Sequence, residues 1–103
     1  MLDHRSMIEA FLKRGYEIES QQKEEEKTPD GQVVARHLIT VLRPKNNAQM
    51  PMIKLEAREV FGKYFDDRDE FFPHEEPKFE LHAHQKSADV RDFKDRWKPL
   101  DVE

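Results

Sequence analysis

Apolar residues recur along this chain with two periods, and the change from one to the other marks its elements. Over residues 3–14, Met7, Ile8, Phe11 and Leu12 fall on one stripe of a helix. Ser6 and Glu9 fit a capping box, Lys13 and Arg14 suit the negative end of the helix dipole, and Gly15 follows as a helix-ending residue. From Tyr16 to Pro44 the period drops to two. Two extended segments flank Thr28-Pro29-Asp30-Gly31. There Pro29 presets the second turn position, Asp30 suits the third, and Gly31 accepts the left-handed conformation after it. With Thr28 opposite Gln32, one face pairs Ile18 with Leu42, Ser20 with Thr40, Gln22 with Leu38 and Glu26 with Val34. The other pairs Glu17 with Arg43, Glu19 with Val41, Gln21 with Ile39 and Lys23 with His37. Glu24 opposes Arg36.

The two segments differ in polarity. The first is apolar only at Tyr16 and Ile18, then runs through Gln21-Gln22-Lys23-Glu24-Glu25-Glu26-Lys27, which suits a sheet edge defended by charge. The second is apolar on both faces, with Val34, Leu38 and Leu42 on one and Val33, Ala35, Ile39 and Val41 on the other. A strand of that kind is central and covered on both sides.

Beyond the turn at Pro44-Lys45-Asn46-Asn47, residues 51–65 satisfy two templates. Ile53, Leu55 and Ala57 alternate as in a strand, whereas Ile53, Ala57, Val60, Phe61, Tyr64 and Phe65 form a helical stripe with Pro51 in its first turn. The composition favours the helix, with a short strand before it as the alternative. Two prolines and an acidic run make residues 66–78 a loop. Phe79, Leu81 and Ala83 then alternate with Glu80, His82 and His84 as a half-buried strand. Ser87 caps a last helix with Val90, Phe93 and Trp97 inward, ended by Pro99. The order predicts an α+β fold: a small antiparallel sheet built on a central β-hairpin, with N- and C-terminal helices packed on one face, in one domain of residues 1–103.

Composition narrows the function classes. Only 36% of the 103 residues are hydrophobic and 39% are charged, so the core is thin and a partner or second copy helps to complete it. A net charge of −4 gives no electrostatic case for nucleic acid or a membrane surface. In the last helix Arg91, Lys94, Arg96 and Lys98 alternate with Asp89, Asp92 and Asp95, a mixed solvated face. With no cysteine, no disulfide framework or thiolate chemistry is available. No apolar run reaches membrane-span length and no signal-peptide core opens the chain, so the expected location is cytoplasmic.

Catalytic signatures do not stand out. The three glycines, Gly15, Gly31 and Gly62, are isolated and build no phosphate-cradling loop, and no serine sits in a nucleophile elbow. The expectation is a non-enzyme without a cofactor. Two constellations remain. His82 and His84 project from one strand face with His74, Glu75, Glu76 and Glu80 nearby, the start of a metal site that needs three or four converging ligands. Residues 66–80 carry seven acidic side chains against two basic ones, a local net of −5 that exceeds the whole chain's −4. Asp66, Asp67, Asp69 and Glu70 lead into Phe71 and Phe72, one ring expected inward and one outward, an arrangement for docking a protein.

These features point to a small protein-binding module, an adaptor, inhibitor or accessory factor, that uses the acidic-aromatic loop and an apolar sheet face. A metal-binding protein built on the His82 and His84 pair is the alternative. A homodimer is expected through Val33, Ala35, Ile39 and Val41, unless another segment of the same chain covers that face.

Overall fold

A computed structural model of the chain describes residues 3–47, 49–86 and 97–100. Helix α1 (His4–Lys13) leads into strands β1 (Tyr16–Lys27), β2 (Val33–Pro44), β3 (Met52–Phe65), β4 (Glu70–Lys86) and β5 (Lys98–Pro99). They form one antiparallel sheet in the order β1-β2-β3-β4-β5, a meander in which every neighbour in space is a neighbour in sequence. This corrects the α+β expectation. The described protein is mostly β, with α1 as the one helix among the described residues. Most of the expected C-terminal helix, residues 87–96, lies outside the described ones, and at its expected end Lys98–Pro99 is a strand rather than a final helical turn.

Local signals explain where α1 begins and ends. Asp3, not Ser6, is the N-cap: its side chain accepts from the Ser6 amide at 2.7 Å, and that bond holds its carboxyl below the usual carboxylate range. Gly15 follows with φ 94, a conformation open to glycine at little cost.

The β1–β2 turn has the expected chemistry, but the strands are not in simple register. The Thr28 amide donates to Gln32 O at 2.8 Å and the Gly31 amide to Thr28 O at 2.9 Å. At the far end Ile18 faces Leu42 and Glu17 faces Arg43. Between them, an irregularity at Val34 on β2 and another at Glu19 on β1 shift every pair by one residue. Ser20 therefore faces Val41, Gln21 faces Thr40, Gln22 faces Ile39, Lys23 faces Leu38, Glu24 faces His37 and Glu25 faces Arg36. Each strand carries one extra residue, so the two irregularities cancel and the ends meet as if neither existed.

Residues 51–65, whose composition favours a helix, instead contribute β3 from Met52 onward. It pairs with β2 from Leu42↔Ile53 to Ala35↔Val60 and with β4 along most of its length. Two hydrogen-bonding neighbours outweigh the helical stripe, because segment periodicity is a weak prior against tertiary pairing. The expected loop at 66–78 contracts to a turn at Asp66–Asp69, and β4 begins at Glu70. Pro73 and Pro77 are tolerated because this part of β4 has no outer strand among the described residues; β5 pairs only at His84 and Gln85. Between Val60↔Lys78 and Gly62↔Pro73 the ladder is irregular, with Phe61 set against residues 74–77.

The core lies under α1 at one end of the sheet. Met7 packs with Tyr16, Leu42, Ile53, Leu55 and Ala83, each at most 5% exposed, with Ile8, Phe11, Met50, Leu81 and Leu100 around them. Burying each large aliphatic side chain contributes about 1.5–3 kcal/mol. Tyr16 ties three elements: its ring meets Phe11 edge-on at 5.3 Å and its hydroxyl donates to Pro51 O at 2.8 Å. Thr40, fully buried, accepts from Gln21 Nε2 at 3.2 Å, so its hydroxyl is partnered. Among the described residues no helix is long and apolar enough to cross a membrane.

Candidate interaction surfaces

Beyond the core the β3–β4 hairpin runs on as an arm whose two sides differ. On one, Tyr64 and Phe71 are opposite each other and, with Asp69, face the Thr28–Gln32 turn across a hollow of about 290 Å³. On the other, Phe65 and Phe72 meet edge-on at 5.5 Å, with Arg68 and Lys63 over the Phe65 ring at 4.7 and 5.0 Å. Phe71 is half-buried and Phe72 is 48% exposed. Gly62 lets the arm close on itself: a Cβ there would lie 2.6 Å from the Phe71 ring and from the Phe72 carbonyl oxygen.

The arm's tip is acidic, and a side-chain bond ties it to β3. Asp69 has φ 51, a left-handed conformation that aspartate tolerates. The Tyr64 hydroxyl donates to Asp69 Oδ1 at 2.5 Å. That bond, reinforced by burial and by the charges of Asp69, Asp66 and Asp30, pushes the phenol up to about 12. Asp30 belongs to the other turn, so the two turns bring their carboxylates to one end of the molecule. Asp66, Asp67, Asp69 and Glu70 are all exposed there.

The sheet face away from α1 is the second surface. Ala35, Ile39 and Val41 share it, Ala35 fully buried and the other two half-buried. Val33 does not join them. Its partner Lys27 is consecutive with Glu26, the partner of Ala35, so Val33 and Ala35 lie on opposite faces. Across the strands from these apolar residues runs a chain of charge. His37 Nε2 lies 3.4 Å from Glu26 and its Nδ1 3.5 Å from Glu56, while Arg58 reaches Glu26 at 3.4 Å and Glu80 at 3.8 Å. Sequence reasoning missed this network, because the register that assembles it depends on the irregularity at Val34.

His82 and His84 do share a sheet face. His82 Nε2 lies 3.3 Å from Glu80, whereas His84 Nδ1 is buried without a hydrogen-bond partner. Among the described residues no group of three or more histidine, cysteine, aspartate or glutamate side chains is placed to hold a metal ion. His74 and Glu80 line one hollow with Val34, Tyr64 and Lys78, which His82 and His84 do not border.

Among the described residues the most exposed large apolar one is Phe79, at 76%, although its alternation with Leu81 and Ala83 predicts a half-buried position. It borders a groove of about 880 Å³ on the α1 side of the sheet, over Leu38 and Ala57 and beyond the reach of the helix. No protein-family model, curated protein or solved structure matches the chain.

Proposed function

We propose that this chain is a small non-enzymatic protein-binding module, an adaptor, inhibitor or accessory factor, that engages a basic partner through its acidic-aromatic end. The observation that carries the reading is the arm. An exposed Phe72 is propped against Phe65 on a hairpin whose tip presents Asp66, Asp67, Asp69 and Glu70 to solvent. A propped ring loses little side-chain freedom when a pocket receives it, and surrounding carboxylates accelerate encounter with a basic surface. Affinity capture from the host lysate at low salt tests it. The wild-type chain recovers a stoichiometric basic partner, and a variant carrying Asp66→Asn, Asp67→Asn, Glu70→Gln and Phe72→Ala loses it. Recovery of no partner, or equal recovery by that variant, sinks the reading.

A second contact is proposed on the face away from α1, where a second copy covers Ile39 and Val41. Their half-burial on a face that the helix does not reach favours it.

A further inference from the structure

We infer that the outer edge of β4 between Lys78 and His82 is a strand-addition site for an extended, lysine- or arginine-bearing segment of another protein. The inference rests on the protein-binding reading above and names a second place and mode of contact.

The edge already accepts a strand. β5 pairs there antiparallel at His84 and Gln85, and the Leu100 amide donates to Ala83 O at 2.8 Å. That bond fixes which residues face outward. In an antiparallel ladder alternate residues turn both backbone polar groups to the same side. The β3–β4 register is unbroken from Lys86 to Lys78. Leu81 and Phe79 therefore turn their amides and carbonyls outward, as Ala83 does, with no strand opposite them among the described residues.

Among the described residues the sheet has two free edges, and they are defended differently. β1 is exposed and charged along most of its length, and the part of β4 before residue 78 carries Pro73 and Pro77, which lack amide protons. Residues 78–82 carry no proline, and their charged side chains, Lys78 and Glu80, are opposite in sign. They carry Phe79 instead, its ring 76% exposed on the side of the sheet that holds the core and the unfilled groove over Leu38 and Ala57. An added strand would place alternate apolar side chains on that ring while its backbone completes the ladder.

Charge selects the occupant. From Glu75 to His82 the strand carries Glu75, Glu76 and Glu80 against Lys78, a net of −2, with Glu80 also within reach of Arg58 at 3.8 Å. Self-pairing sets the net negative charge of this stretch against itself, whereas a basic segment meets it with opposite charge. β5 itself has that character, with Lys98 between Trp97 and Pro99.

The test titrates the isotope-labelled full chain with a capped heptapeptide alternating lysine with leucine, read by amide chemical shifts. Saturable shifts confined to residues 78–82 are expected, with none from a peptide carrying glutamate in place of lysine. Phe79→Pro removes an outward amide that no strand uses among the described residues, so the chain stays folded and the shifts vanish. Phe79→Ala keeps the backbone and weakens binding about tenfold or more. Shifts centred on β1 or on the face away from α1, equal binding of the glutamate peptide, concentration-dependent pairing of the chain with itself at this edge, or no saturable shift would each overturn the proposal. So would unchanged binding by Phe79→Ala, the deciding variant if Phe79→Pro unfolds. A partner captured through the acidic arm alongside a silent β4 edge removes this inference and leaves the protein-binding reading intact.

Discussion

Asp69 shows how one side chain sets the state of another. Its carboxylate accepts from the Tyr64 hydroxyl at 2.5 Å, and the phenol rises from 10.0 to about 12 chiefly because of that bond. A raised folded value means that the neutral phenol is favoured by folding. The stabilisation is complete below pH 10, where the unfolded phenol is also neutral, and is lost as pH climbs through 12. Asp69→Gly removes the carboxylate while keeping the left-handed backbone comfortable. Tyrosinate absorbance should then show one midpoint dropping from about 12 toward 10. The other tyrosine, Tyr16, is raised by burial instead and should not move. An unchanged titration would remove Asp69 as the cause.

Among the elements, the β1–β2 hairpin measures how far sequence reasoning reaches. Its turn was legible because Thr28-Pro29-Asp30-Gly31 carries a local signal at each position. The irregularities at Glu19 and Val34 were not, since neither residue has a backbone requirement that its type reveals. The consequence is measurable. Arg36 Nε meets Glu25 at 3.0 Å, not Glu24, so a double-mutant cycle on Glu25 and Arg36 should give a coupling of about 0.2–1 kcal/mol, as for exposed pairs. The same cycle on Glu24 and Arg36 should give none. Equal couplings would restore the unshifted register. Residues 51–65 failed differently, for their composition satisfied both periods and the outcome rested on β2 and β4. The prolines of the acidic stretch concealed a strand, because whether proline is tolerated depends on having a free edge. The prominence of Phe79 lay beyond sequence reasoning, because in alternation it reads as the partner of Leu81 and Ala83.

For the whole molecule, the uneven cover of the sheet is the main feature. α1 seals one end of one face, and Ile39 and Val41 remain half-buried on the other. A second copy on that face would bury apolar area at about 25 cal/mol per Å² before association costs. Light scattering should find the wild type dimeric and the Ile39→Lys, Val41→Lys double variant a folded monomer. A wild type that stays monomeric at high micromolar concentration ends the idea. Unfolding of the double variant would mean instead that the chain's own residues cover this face.

The meander order of the strands also governs how the sheet is made. Each strand pairs with the one synthesised just before it, so each new ladder closes a short loop at small entropic cost. No strand waits for a distant segment, and none must be inserted between two already joined. The β1–β2 hairpin is complete in covalent terms before Met52 is added, and β3 then extends an existing edge. Assembly can follow the ribosome strand by strand, each newest edge open to the strand that follows.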